Sequence, residues 1–419
     1  MAAGVGVALA LLASASAASA EDWPQWRGPR SDGTSLERRL PTSWSAQKGV
    51  CWSTELPGQG HSSPIVARGS VFVTTALGDG HERALVRLDA ATGRILWVRT
   101  VVRSDDLERL HPENSPDSST PATDGRAVYT SFYASGKTHL AALDYDGKVL
   151  WTATPLRYRS EHGYHHNPLL LRDLLVLSFD QLAEAAVLGV DRATGQTRWR
   201  VPLANDEPSN VAPLPVESEG RTLVLTSGND VTRAIDPRDG KVVWQAPGPT
   251  KYCVAGLAQG AGVVFVNGGY PDRHSLAFTI GAQGGSTQGR VAWESRKGTT
   301  YVPSPVFAAD HFYAVNDNGL ATCWNARTGD VRWQERLPGH FRSSLVLAEG
   351  RLYATNDEGT TTVFRAAPER YEGLSINTLG DLVYATPALS EGRILIRTRS
   401  RLHSIGDCAR PRAAAPTSR

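Results

Sequence analysis

Apolar and polar positions in this chain alternate in short runs, each closed by turn residues. The run Leu88-Asp89-Ala90-Ala91-Thr92-Gly93-Arg94-Ile95-Leu96-Trp97 reads as the end of one strand, a tight turn and a second strand running back. Asp89 can accept hydrogen bonds from the turn's N–H groups, and Gly93 can take the positive φ that other residues resist. Period-two alternation then puts Ile95 and Trp97 on one face of the outgoing strand. A Trp there fills the gap between two packed sheets and buries roughly 150–250 Å².

The phrase recurs with its spacing kept. Glycines at 93, 147, 195, 240, 289 and 329 each stand four residues before Trp97, Trp151, Trp199, Trp244, Trp293 and Trp333. Self-similarity at about 45 residues marks a repeat protein, and it overrides the two or three domains that the length alone suggests. The preceding strands repeat as well. Pairs of short apolar runs begin near Ser63-Pro64, Thr120-Pro121, Asn167-Pro168, Ala212-Pro213, Ala255-Gly256, Ser304-Pro305, Ser344-Leu345 and Thr386-Pro387, giving eight inner pairs. The outgoing strands are the six with Trp, a degenerate one at Gly373 to Leu379, and an orphan around Trp52 that nothing precedes.

Eight inner pairs and eight outgoing strands predict an all-β fold, an eight-bladed β-propeller of four-stranded antiparallel blades. A seven-bladed ring would require discarding one well-formed pair. The last inner pair, Ala385 to Ile396, is followed by Arg401–Ile405 and then lacks a fourth strand. The N-terminal orphan supplies it, so the ring closes without a large open sheet edge. Trp52 and the six phrase tryptophans are expected to dock blade on blade. Cys51 at the start of the orphan and Cys408 just beyond its expected partner are either a disulfide that fastens the ring or two unpaired thiols. Cys253 and Cys323 fall in non-equivalent places and are not paired.

The remaining boundaries come from composition. Val5 to Leu12 is a short apolar core, and Ala18-Ser19-Ala20 offers small residues for cleavage. Residues 1–20 therefore read as a secretory signal, although no Lys or Arg precedes the core. Residues 21–45 read as an irregular Trp- and Pro-rich arm, 46–407 as the single propeller, and 408–419 as a disordered tail. No later run approaches the roughly 18 apolar residues of a membrane span. A soluble, monomeric protein in the periplasm or secreted is expected. With 44 Lys and Arg against 42 Asp and Glu, well mixed, nothing favours nucleic acid. One Met, 40 Gly, 25 Pro and 11 Trp suit a turn-rich β chain.

Chemistry in a propeller sits where the loops cluster around the central funnel. The candidates there are His61, His111, Glu113, His162, His165, His166, Lys251, Tyr301, His340 and Arg342. The run His162-Gly163-Tyr164-His165-His166 matches no known metal-ligand spacing, so no metal site is assigned. His61-Ser62-Ser63 lacks the strand-to-helix elbow of a nucleophile, and its Ser-Pro pair recurs as architecture. The dinucleotide fingerprint and the phosphate loop are both missing. No catalytic residue is assigned.

Three stretches carry a family likeness. They are the arm Trp23-Pro24-Gln25-Trp26-Arg27-Gly28-Pro29, the joint from Trp52 through His61 to Pro64, and the repeated Asp-x-x-Thr-Gly-x-x-x-Trp. From about Asp22 to Gly406 the chain resembles the PQQ-like β-propeller repeat proteins. One branch of that superfamily, the quinoprotein alcohol dehydrogenases, holds pyrroloquinoline quinone and calcium in the funnel. Another is a lipoprotein propeller that helps assemble outer-membrane β-barrels. This chain lacks the adjacent cysteines of the first and the lipidated Cys of the second. The resemblance implies fold, and fold alone does not imply activity. The expectation is an exported, non-catalytic binding or scaffold protein that takes a protein or small-molecule ligand at the funnel, with no cofactor assigned. The alternative is an alcohol or sugar dehydrogenase dependent on pyrroloquinoline quinone and calcium.

Overall fold

The computed structural model describes residues 21–107, 110–111, 114–204, 208–280 and 289–409. The expected signal at 1–20 and the expected tail beyond Ala409 lie outside the described residues. The strands fall into eight sheets, the blades I to VIII. Their innermost strands are Ile65–Ala67, Ala122–Thr123, Leu169–Leu171, Leu214–Ser218, Ala258–Gly260, Val306–Ala308, Val346–Ala348 and Ala388–Ser390. Each blade is a four-stranded antiparallel meander, and blade VII gains a short parallel strand, Thr34–Ser35, against Val346–Ala348. Blade VIII takes its outer strand, Val50–Glu55, from the N-terminal side, paired antiparallel with Arg401–Gly406. The ring therefore closes as the strand count predicts. Cys51 and Cys408 are joined beside that pairing, with their Cα atoms 5.0 Å apart, while Cys253 and Cys323 are free and buried.

The repeated phrase builds the interface between blades. Asp89 Oδ1 accepts from the N–H groups of Ala91 (3.1 Å) and Thr92 (2.8 Å), and Gly93 turns the chain at φ +73°. One expectation needs correcting: Ile95 and Trp97 do not share a face. Every outer strand carries a bulge before the Trp position; in blade I, Leu88 pairs with Ile95 and Arg87 with Trp97, so Leu96 is the extra residue. An inserted residue reverses the facing of the strand beyond it. Ile95 packs into the blade VIII–I core and Trp97 turns toward blade II.

There each indole N–H donates to a carbonyl in the next blade's turn: Trp52 to Ala90, Trp97 to Tyr145, Trp151 to Arg192, Trp199 to Pro237, Trp293 to Ala326 and Trp333 to Ala367, at 2.8–3.1 Å. The segment after the middle strands of blade V, residues 281–288, lies outside the described residues, so the partner of Trp244 is not assigned. The phrase glycine has a second duty. A Cβ on Gly195 would stand 2.5 Å from the Trp151 ring of the preceding blade, so the turn must be bare for the indole to seat.

Candidate functional site

The arm forms the floor of the funnel. Trp23 pairs with Val66 of blade I, the Pro24 carbonyl accepts from Thr123 N–H of blade II, and Gln25 Oε1 accepts from Leu170 N–H of blade III. Arg27, 1% exposed, donates to the carbonyls of Leu257 in blade V (3.3 Å), Asp32 in the arm (2.7 Å) and Pro305 in blade VI. The Gly33 carbonyl accepts from Leu347 in blade VII, and the Glu21 carbonyl from Ser390 in blade VIII. Irregular backbone buried on the axis is tolerated because the innermost strands satisfy it. Gly28 sits at φ +81°, with the Trp23 ring where a Cβ would stand. Trp26 is left facing a cavity of about 310 Å³ above the arm.

The wall is a belt of hydrogen bonds two residues before each innermost strand. Ser63 N–H donates to Thr120 Oγ1 (3.0 Å), Thr120 to Asn167 Oδ1 (2.7 Å), Gly256 to Ser304 Oγ (2.7 Å), Ser304 to Ser344 Oγ (3.0 Å), Ser344 to Thr386 Oγ1 (3.1 Å) and Thr386 to Ser63 Oγ (3.0 Å). The corresponding residues of blades IV and V are Ala212 and Gly256, which offer no side-chain acceptor, and the belt opens there. Trp26 fills that gap: a Cβ on Gly256 would meet its ring at 3.0 Å. The Ser/Thr-Pro pairs are thus architecture whose side chains also line the funnel.

One end of the cavity is cationic. Arg342 lies with its guanidinium 4.8 Å over the Tyr384 ring and pairs with Asp357. The His61 ring meets the edge of Tyr384 at 4.7 Å. Behind His61, Arg397 is 2% exposed and donates to Ser62 Oγ (2.6 Å) and Thr74 O (2.9 Å), near the buried Asp117. Burial, with Arg397, Arg342 and Arg399 adding to it, pushes the His61 imidazole down to about 3. Burial pushes Asp117 up to about 7 against the pull of Arg83 and Arg397, and Asp357 up to about 6 against that of Arg342.

The opposite end is built on the histidine-rich loop. Asn114 Nδ2 donates to the His162 carbonyl (2.7 Å), and the His162 ring lies 5.7 Å from His111 and 6.1 Å from Tyr252. Burial beside His162 pushes His165 down to about 4.

Of the residues singled out in the sequence, His61, His111, His162, His165, Tyr301 and Arg342 line this one cavity. Glu113 lies outside the described residues. His166 does not line it: the residue is 4% exposed, its Nε2 is 3.1 Å from Tyr158 Oη, and its ring packs on Phe179, because neighbours in a tight loop turn opposite ways. Lys251 and His340 do not line it either; they are exposed, and their backbone carbonyls accept from Ser209 Oγ (2.8 Å) and Asp357 N–H (2.7 Å). Sequence reasoning missed Trp26, Tyr384, Asn114, Asn167 and Asn210, and gave the belt hydroxyls no role in the site. Ser62 Oγ accepts from the buried Arg397, and Ser63 Oγ, which lines the cavity, accepts from Thr386 N–H. Among the described residues no group of three or more His, Cys, Asp or Glu could hold a metal, and no carboxylate lines the cavity.

A family model described as outer membrane protein assembly factor BamB matches residues 35–160, 109–270, 183–294 and 273–368. Among curated proteins none matches. Solved structures that resemble the chain include BamB from Moraxella catarrhalis, with TM-score 0.61 and 14% identity over 85% of this chain and 98% of that one. The computationally designed Ika8 protein has TM-score 0.58 and 10% identity, over 90% of this chain and 99% of that one. A europium-containing methanol dehydrogenase gives TM-score 0.50 and 11% identity, over 82% and 89%. At these identities the likeness shows the shared propeller and nothing finer.

Proposed function

The chain belongs to the propeller family described as outer membrane protein assembly factor BamB, and from that premise we propose an exported, non-catalytic binding protein that seats its ligand in the funnel above Trp26. The observation that carries the reading is the convergence of loops from opposite sides of the ring on one floored cavity, bearing His61, His162, Tyr252, Tyr301, Arg342 and Tyr384. A binding role suits the titration of two of its histidines. A general base works best with a pKa near the working pH, and His61 at about 3 and His165 at about 4 are weak bases. Export is supported by the apolar leader and by the Cys51–Cys408 bond, which persists in an oxidising compartment. Among the described residues no helix is long and apolar enough to cross a membrane.

The dehydrogenase reading needs calcium beside the quinone. Calcium takes six to eight oxygen ligands with carboxylates prominent among them, and the described lining residues offer amides, hydroxyls, imidazoles and a guanidinium. That donor set does not fit calcium. The test is calorimetric titration of the chain from Glu21 with pyrroloquinoline quinone, with and without calcium, beside a panel of small polar metabolites. Hydrogen exchange then locates any ligand. Protection of the loops at 159–166, 251–254 and 340–344 without turnover is the expected result. Calcium-dependent quinone binding with reduction of a dye acceptor would replace this reading with the oxidoreductase one. Protection confined to the outer strands would remove the funnel from the function.

A further inference from the structure

The funnel is chemically lopsided, and the asymmetry describes a ligand. We propose that it takes an acidic sugar, a polyhydroxylated ring carrying one carboxylate, of the hexuronate class. The proposal rests on the funnel being the binding site.

Three features converge. Arg342 supplies a planar guanidinium to one end of the cavity, and such a fork matches a carboxylate in two hydrogen bonds. It already pairs with Asp357, and Arg397 and Arg399 lie behind His61 at the same end, Arg397 beside a buried Asp117 whose carboxyl is pushed up to about 7. No carboxylate among the described lining residues opposes an anion. Aromatic groups then set the shape. Trp26 is the floor, with Tyr252, Tyr301 and Tyr384 around it, and the C–H face of a saturated ring packs on such surfaces with its hydroxyls pointing outward. The end away from Arg342 carries amides. Asn167 spends its Oδ1 on Thr120 N–H, so its NH₂ is the part that can serve a ligand, and Asn210 lines the same side. An amide donates and accepts at once, as vicinal hydroxyls require.

Size agrees. About 310 Å³ is room for roughly ten waters, the scale of one hexose ring with its substituents. A bare inorganic anion would leave the aromatic floor and the amides unused, and a neutral sugar would forgo the charge-assisted bond that a carboxylate can make to Arg342.

The experiment titrates the chain with D-glucuronate and D-galacturonate, against D-glucose, D-galactose, acetate and phosphate as controls, with exchange protection of the funnel loops read for every probe. A uronate is expected to bind at least about tenfold tighter than its neutral parent and than acetate or phosphate. Arg342→Gln should cost the uronate about tenfold while leaving the neutral parent unchanged, and Asn210→Ala should weaken both sugars. Melting curves of both variants establish that they fold, and either variant alone can overturn its half of the assignment. Equal affinity for uronate and parent overturns carboxylate recognition. Equal affinity for uronate and acetate or phosphate overturns ring recognition. No binding of any sugar, with the funnel loops protected by another compound, overturns the acidic sugar and leaves funnel binding standing. No protection of those loops by any compound removes both.

Discussion

Replacing Gly195 by Ala tests the blade joint against a control already present in the chain. Gly195 and Gly220 both sit at φ +75°, but a Cβ on Gly195 would lie 2.5, 2.9 and 3.0 Å from three atoms of the Trp151 indole, whereas one on Gly220 meets nothing within 4 Å. Both substitutions place an L-residue in the left-handed region, at about 1–2 kcal/mol. Only G195A also pushes against the ring, which is pinned by its N–H bond to the Arg192 carbonyl (2.9 Å), and overpacking of that kind costs about 1–3 kcal/mol more. G220A should therefore destabilise by about 1–2 kcal/mol and G195A by about 2–5 kcal/mol, read as shifts of the urea midpoint at constant slope. The double-mutant cycle isolates the joint: with Trp151→Ala in place, G195A should fall to the cost of G220A, a coupling of about 1–3 kcal/mol. Equal costs for the two glycines, or a G195A cost unchanged by W151A, would show that the phrase glycine serves its own turn and not the neighbouring blade.

The closure bond spans a sequence separation of 357 residues, so chain entropy gives it up to about 6 kcal/mol; the C51A/C408A double variant should unfold at clearly lower urea, with fastest amide exchange in Val50–Glu55, and an unchanged midpoint would mean that strand pairing alone holds the seam. The folded chain keeps His61 neutral down to about pH 3, where the unfolded chain takes a proton near 6.5. That share of stability is complete above pH 6.5 and lost as pH falls toward 3, so H61N should flatten the acid limb in urea titrations from pH 4 to 7, and a limb of the same slope would count against it. Arg27→Met leaves the carbonyls of Leu257, Asp32 and Pro305 without their donor on the axis, a loss of about 3 kcal/mol or more, and a variant as stable as the parent would show that the arm is not a plug.

The ring was legible because one kind of interface is built around it, and whatever that interface demands tends to recur: a bare turn, an indole four residues on, a hydroxyl ahead of five of the eight inner strands. The bulge escaped notice because Ile95 and Trp97 are two apart, which is same-face spacing in a regular strand, and an inserted residue leaves no mark in the apolar pattern. The site was half legible. His61 and Arg342 stand in polar loops on the funnel side, where function is ordinarily sought, but His165 and His166 are adjacent and identical, and only the packing of Phe179 and Tyr158 decides which turns away from the cavity. Trp26 lies in a segment with no period to extrapolate, so its place on the axis depends on bonds to successive blades that only the closed ring brings together.

Departures from the repeat are where this chain becomes specific, and they share a source. The outer strand of blade VII, Gly373–Thr378, has Ser375 where its neighbour has Trp333, and by itself that reads as decay. In the structure Trp44 supplies the missing ring, though not the missing indole bond: its backbone N–H donates to Asn377 Oδ1 at 2.8 Å, its ring stacks on Tyr353 at 6.5 Å, and it is buried in the core that joins blades VII, VIII and I. The same N-terminal stretch gives blade VIII its fourth strand, fills the break in the belt at Ala212 and Gly256 with Trp26, and ties the axis with Arg27. Each site where the repeat omits a group is thus met by a residue from before the first blade. The omissions and the arm are one design. A ring of identical blades would have an open seam and an open channel, and the arm converts that channel into a floored cavity in which a small ligand can be held.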